Sequence, residues 1–333
     1  KAVGVIFILL QISPTIEGYF IWQMVITLIF TFTLRFFVWK KLAVKNIKAV
    51  FSRVQLKSIF HFAAGMTGLS LITFFLAQID KIVVSKMVLL EFVGYYNLAF
   101  IVAGGINQVI SPLQPVIFPK FTSLLAQNKH EELLALYHKT CRWVSIIVFP
   151  IGFILIFFAK EILLLWTKNP VLTQNTAPIL QVVAAGTVCN CMMWVPYFYL
   201  LAKGNTKFTI YQNIIASVIL VPLLFWWTGK YGALGASFVW LSVNIGYVLI
   251  TIPVFYRLFL KGELGNWYKK DVALPFLVSG ILALAAKYFQ MQMLPLPDWK
   301  YFGIMLLVLF IIYGLIIPEM RAFATKIKLR LKI

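Results

Sequence analysis

The chain has 333 residues, of which 62% are hydrophobic and 12% charged, with a formal charge of +20. Soluble domains carry about 25% charged residues, so this composition, with a mean hydropathy of +0.91, excludes an ordinary soluble fold and indicates a membrane protein. Many runs approach the roughly 20 apolar residues that cross ~30 Å of hydrocarbon, and they lack the period-two alternation of a transmembrane strand. Lipid cannot satisfy an open backbone, so the expected class is all-α, a polytopic integral membrane protein of about ten transmembrane helices.

In chain order the apolar runs predict helices at 2–12, 16–39, 59–79, 95–118, 142–167, 176–202, 208–228, 232–256, 272–290 and 300–319. The first is too short to cross, and it opens at Lys1 rather than methionine, so an N-terminal portion is expected to precede it. No small-residue cleavage site follows, and no signal peptide is expected.

The distribution of charge removes a nucleic-acid reading. Lysine and arginine gather in alternate connections: Lys40, Lys41, Lys45, Lys48, Arg53 and Lys57; Lys120, Lys129, Lys139 and Arg142; Lys203 and Lys207; Arg257, Lys261, Lys269 and Lys270. The tail adds Arg321, Lys326, Lys328, Arg330 and Lys332, whereas the intervening connections hold Lys168, Lys230, Lys300 and the offset pairs around Asp80 and Glu91. This alternation follows the positive-inside rule and predicts that both ends of the chain are cytoplasmic. Its partners are then anionic membrane lipids, and no nucleic acid.

The basic stretch from Lys40 to Lys57 places Leu42, Val44, Ile47, Val50, Phe51 and Val54 at near-helical spacing, as an interfacial helix would. It sets off an earlier pair of helices from the rest. Gly18 stands 22 residues before Lys40, and Gly235 stands 22 residues before Arg257, a faint echo of internal duplication.

Residues that usually carry chemistry are sparse. Cys189 and Cys191 lie inside a span and Cys141 at its edge, where packing outweighs a disulfide or a metal site; no metal or other cofactor is expected. His130 and His138, in "NKHEELLALYHK", lack the H-E-x-x-H spacing and suit a solvated amphipathic helix end. No catalytic residue is proposed. The outward loops, about 79–94 and 290–299, are short and lack an acid, base and arginine cluster, and no G-x-x-x-x-G-K-[ST] loop is present.

Polar groups inside the apolar runs are the candidate substrate path. Asn97, Gly104, Asn107, Ser111 and Gln114 share one helical face, which would be costly against lipid and suits either a wet cavity or helix-to-helix hydrogen bonds. Pro112 and Pro115 are expected to bend this helix. Asn244 joins the polar face or bonds within the core, and Arg35 either snorkels to the inner headgroups or faces the cavity. Lys160 and Glu161 suit an interfacial pair near Trp166. Asp80, about 31 Å along its helix from Ile59, is expected to face the cavity and pair with a cation, with Lys81 turned about 100° away.

Several stretches resemble bacterial polysaccharide flippases, of the superfamily that also contains multidrug and toxin extruders. They are "AQIDKIVVSKMVLLEFVGYYNLAFIV", "ISPLQPVIFPKFTSLL", "LLAKGNTKFTIYQNIIASVI" and "GKYGALGASFVWLSV", in the family's order, and the likeness extends to about residue 260. It implies two six-helix lobes. Residues 1–39 would be the last two helices of the first lobe, 40–58 a basic linker, 59–260 the second lobe, and 261–333 two additional helices and a basic tail. The opening four helices would be absent. It further implies a flippase of undecaprenyl-diphosphate-linked oligosaccharide in the bacterial inner membrane, acting by alternating access and working beside polysaccharide polymerase machinery, and not an enzyme. A cation-coupled drug antiporter would share the fold but use buried carboxylates, for which Asp80 is the candidate. A membrane polymerase or ligase would need substantial outward loops.

Overall fold

The computed structural model describes residues 4–5, 15–42, 53, 60, 78–293, 299–322 and 325. Among these, every regular element is helical. Most of the expected helices 2–12 and 59–79, and of the linker 40–58, lies outside the described residues.

The chain divides into two compact units, Lys1–Leu69 and Ser70–Ile333. The first contains α1, Ile16–Leu42, whose apolar side chains, Leu28, Phe32 and Phe36 among them, are exposed. Such a helix is stable only against lipid or another protein surface. Thr27, Thr31 and Thr33 each return their hydroxyl to the carbonyl four residues back, which hides the hydroxyl from lipid.

The second unit is a bundle of helices joined by tight turns. A short helix at 78–87, α2, is separated only by Val88 and Leu89 from α3, Leu90–Ile110. A loop was expected over 79–94; the backbone instead stays helical on both sides of a two-residue break, because Leu89 is extended and the amide of Phe92 bonds its carbonyl at 2.9 Å. After α3 the prolines act as anticipated. Ser111–Leu113 is a 3₁₀ turn, Pro112 lacks the amide that would continue an α-helix, and α4 resumes at Gln114–Ala126.

Next come α5, His130–Phe157, α6, Ala159–Thr167, α7, Pro170–Met192, and α8, Trp194–Ala202. Asn169 caps α7 by accepting from the amide of Leu172 at 3.1 Å, with Pro170 as its first residue. The expected helices 208–228 and 232–256 appear as the two arms of α9, Thr206–Gly246, broken at Gly232. There φ is 61° and ψ −143°, a conformation glycine adopts without the Cβ penalty. The reversal is tight: a Cβ on Gly235 would stand 2.1 Å from the carbonyl oxygen of Trp227.

A π-helical turn, Tyr247–Thr251, leads into α10, Ile252–Phe259. A further short helix, α11, Leu264–Asn266, passes through a π-helical turn, Trp267–Val272, into α12, Ala273–Met293. The last long helix, α13, is Trp299–Ile316. Most helices start earlier or end later than the apolar runs, because hydropathy marks what lies in lipid whereas hydrogen bonding continues into the polar flanks.

The core of this unit centres on α7, which packs against α3, α5 and α9. Its buried residues include Ala177, Leu180, Ala184, Gly186 and Cys191. Small residues let neighbours approach closely, the usual basis of helix association where lipid is as apolar as leucine. A Cβ on Gly186 would meet the Trp240 ring at 2.5 Å and the Leu241 backbone at 3.1 Å. The same core continues into an aromatic group. There Phe121, Tyr137, Tyr199, Phe255 and Tyr256 stack edge and face, with ring centroids 5.3–6.4 Å apart.

Candidate functional site

The α3 helix has two unlike faces. Tyr96, Ala99, Ala103, Ile106 and Ile110 are fully buried against the bundle. The opposite side is open: Ile101 and Val109 are exposed, as is Gln108, and a Cβ added at Gly104 or Gly105 would meet nothing within 4 Å. The polar stripe runs along the boundary of these faces and then out of it. Asn97 is half-buried, Asn107 turns to α7, and Ser111 and Gln114 are exposed where the 3₁₀ turn shifts the helical register.

Asn107 accepts a hydrogen bond from the Cys191 thiol at 3.3 Å. One residue earlier on α7, Asn190 donates to the Asn244 carboxamide oxygen at 2.8 Å, and Asn244 itself donates to the Trp240 carbonyl at 2.8 Å. Asn244 is 1% exposed, so its groups serve the core. Helix-to-helix bonding, one of the two roles open to these amides, is therefore the role they play here, while Ser111 and Gln114 keep an open outlook. The Ser111 hydroxyl returns to the Gln108 carbonyl at 3.0 Å.

Asp80 lies within α2, which continues past it to residue 87. Among the described residues its partner is a neutral hydroxyl rather than the expected cation. The short break at Val88 and Leu89 brings α2 back against α3, and the hydroxyl of fully buried Tyr96 donates to Asp80 Oδ2 at 2.9 Å. A neutral donor lowers the cost of a carboxylate near lipid without a second buried charge. Arg35 is exposed on α1.

Two groups of charges behave differently from the sequence expectation. His138 is not a solvated helix end: only 14% of its side chain is exposed, and it meets Asp271 through Nδ1 and Glu263 through Nε2, the latter at 3.2 Å. Arg142, one turn on, donates from Nε to Asp271 Oδ1 at 3.4 Å and from Nη1 to Glu319 Oε1 at 2.7 Å. At the far end, Glu161 does not pair locally with exposed Lys160 but receives Lys287 Nζ, and Gln290 Nε2 at 3.0 Å, both from α12. These partners are more than a hundred residues away in the chain, out of reach of any local pattern. The available hint was in each partner: Asp271 opens the apolar run "DVALPFL", and Lys287 interrupts "ALAAKYF".

Among the described residues, six helical runs are long and apolar enough to cross a membrane: Glu17–Lys40, Leu90–Ala126, His130–Phe157, Pro170–Ala202, Lys207–Phe259 and Leu264–Gln292, with Gly303–Ile316 as a shorter apolar helix. Together they define a multi-pass helical membrane protein. The fold agrees with a solved structure, a lipid II flippase, MurJ, in an inward closed conformation: the TM-score is 0.64 at 17% identity, over 94% of this chain and 63% of that one. A family model described as polysaccharide biosynthesis protein matches residues 3–169, half of the chain, and the chain belongs to that family. A second model, MatE, matches residues 121–226.

Curated relatives carry consistent names. A putative O-antigen transporter of Shigella flexneri is 23% identical over 184 residues, 55% of this chain and 43% of the relative. An uncharacterized membrane protein in the cps region of Klebsiella pneumoniae is 26% identical over 261 residues, 76% and 50% of the two chains. The lipopolysaccharide biosynthesis protein WzxC of Escherichia coli (strain K12) is 23% identical over 242 residues, 69% and 46%. The chain spans about half the length of the curated relatives it matches.

Proposed function

We propose that the protein belongs to a flippase that moves undecaprenyl-diphosphate-linked oligosaccharide across the bacterial inner membrane for surface polysaccharide synthesis. The observation that carries this reading is the open face of α3, where Gln108, Ser111 and Gln114 are exposed beside two glycines that leave the backbone bare, on a helix whose other face is packed. Neutral amides and hydroxyls suit a sugar head group, which they bind by exchangeable hydrogen bonds. The family and the names of the relatives point the same way.

On this reading residues 59–260 are the second lobe, 1–39 the end of the first, and 261–333 an added helix pair with a basic tail. Both ends are cytoplasmic, and the lysine-rich connections face anionic lipid. The path comprises Ser111, Gln114 and Asn97 with Asp80 at its outer end; Asn107 and Asn244 hold its wall. Alternating exposure of this wall to the two sides performs the transfer, with no covalent step.

The test is complementation with a full-length copy in a strain lacking its own flippase. Restored surface polysaccharide, with loss of the accumulated inner-side lipid-linked intermediate, is the expected result. Drug resistance without restored polysaccharide would replace this reading by an antiporter.

A further inference from the structure

Ion pairs between residues distant in the chain, which the proposed path does not use, lie at the two ends of the α5–α6 run, and at both ends they hold the last helices. His138 and Glu161 are 23 positions apart, about 35 Å of helix, close to the hydrocarbon thickness. At the His138 end the junction is Arg142. It reaches Asp271, in the turn that leads into α12, and Glu319, in the helical stretch 318–322 that follows α13. The entry and the exit of the α12–α13 pair are thereby attached to one guanidinium, whose planar fork can serve two carboxylates where an ammonium would be a single point. Asp271 has no exposed surface, so water does not compete for it.

At the Glu161 end, Lys287 and Gln290 converge on a carboxylate that is 11% exposed, and Lys287 also stands 5.2 Å over the Phe158 ring. Between the two ends the contact is mostly apolar: Phe276 lies 5.2 Å from Phe149 and from Phe153, and the Tyr313 hydroxyl, donating to the Ile146 carbonyl at 3.1 Å, adds a polar tie. In lipid such apolar contacts give little preference for one helix position over another, since the tails are equally apolar. The ionic ends therefore decide where the pair sits.

We infer that Arg142 and Glu161 are the two ends of a clasp that makes α12–α13 a fixed part of the α3–α10 bundle, so that the pair travels with that bundle as one body. They are positioning residues, and their effect on export, which rests on the proposed function, is separable from their effect on distance. In a full-length, otherwise cysteine-free protein, spin labels are placed at Ala135 on α5 and Tyr288 on α12, both exposed. The unaltered clasp gives one narrow distance distribution. Lys287→Glu is expected to lose that single maximum, and the exchange Glu161→Lys with Lys287→Glu to regain it. Arg142→Gln is expected to broaden the distribution too, and Glu319→Gln, at a more exposed partner, supplies a milder version should Arg142→Gln fail to accumulate. A narrow distribution in Lys287→Glu and Glu319→Gln overturns the clasp, and so does a broad one that the exchange leaves unchanged. If distances respond as expected while no variant or parent restores polysaccharide, the clasp stands and the flippase reading falls.

Discussion

Between α3, α7 and α9 the polar contacts are neutral: Asn190 to Asn244 at 2.8 Å, the Cys191 thiol to Asn107 at 3.3 Å. At the ends of α5 and α6 they are ionic, with Asp271 held by His138 and Arg142, and Glu161 held by Lys287. Both regions tie helices together, yet the charge is placed where the helices run out of the apolar span. A charge at the centre of a bilayer costs about 2.5 to 3.5 kcal/mol even on the mildest insertion scales. A neutral amide pair satisfies itself at a fraction of that cost and contributes about 0.6 kcal/mol on average. The difference teaches that the interior ties are neutral and weak, while the end ties are charged and strong. The two regions should fail differently when altered.

The largest effect is expected at Arg142. Arg142→Met leaves the fully buried Asp271 with the His138 imidazole as its one remaining side-chain partner among the described residues. Removing one partner of a buried pair costs about 3 to 5 kcal/mol, and the retained imidazole puts the expected loss near the lower bound. The purified protein should melt well below its parent in detergent. An unchanged melting temperature would mean that the end ties are no stronger than the interior ones.

Next is Gly186→Ala. Its new methyl would enter the Trp240 ring and press on the Leu241 backbone, with a cost of about 1 to 3 kcal/mol for overpacking. Gly104→Ala is the control on the same kind of helix: it faces open space and should be neutral or stabilising by up to about 1 kcal/mol through helix propensity. Equal melting shifts for the two would contradict the assignment of a packed and an open side. Asn190→Leu follows, with a loss of about 0.6 to 1.7 kcal/mol, since Asn244 keeps its bond to Trp240 but loses its acceptor's partner.

How much of this was legible follows from the range of each signal. Helix break and bend were local and were read correctly: Gly232 sits where the pattern left a gap between 228 and 232, and Pro112 and Pro115 interrupt α3 as expected. The core role of Asn244 was one of two roles its apolar setting allowed. The apolar residues Ile79, Ile82, Val83 and Val84 carry the helix past Asp80 as expected, and the short loop of about 79–94 narrows to Val88 and Leu89, because Glu91, Lys86 and Lys81 lower hydropathy without breaking backbone hydrogen bonds. The partners of His138 and Glu161 were out of reach, since hydropathy says where a charge is unwelcome but not which distant helix will answer it.

The smallest stability effects, and the most informative functional ones, belong to the open face. Gln114 is exposed, and the Ser111 hydroxyl only returns to its own helix. Ser111→Ala and Gln114→Leu should therefore change stability by no more than about 0.5 kcal/mol. Asp80→Asn belongs with them, because a carboxamide oxygen still accepts from Tyr96 while the charge is gone. If this face carries the sugar head, each variant should reach the membrane in normal amount and export less polysaccharide, with the Ser111 and Gln114 changes together worse than either alone. At Ser111 and Gln114 such a split between intact protein and lost export cannot come from packing, which these two side chains do not join. Should all three export as the parent does while Asn190→Leu lowers both stability and export, then the neutral interior ties, and not the open face, govern transfer, and the path must be sought on helices beyond this bundle.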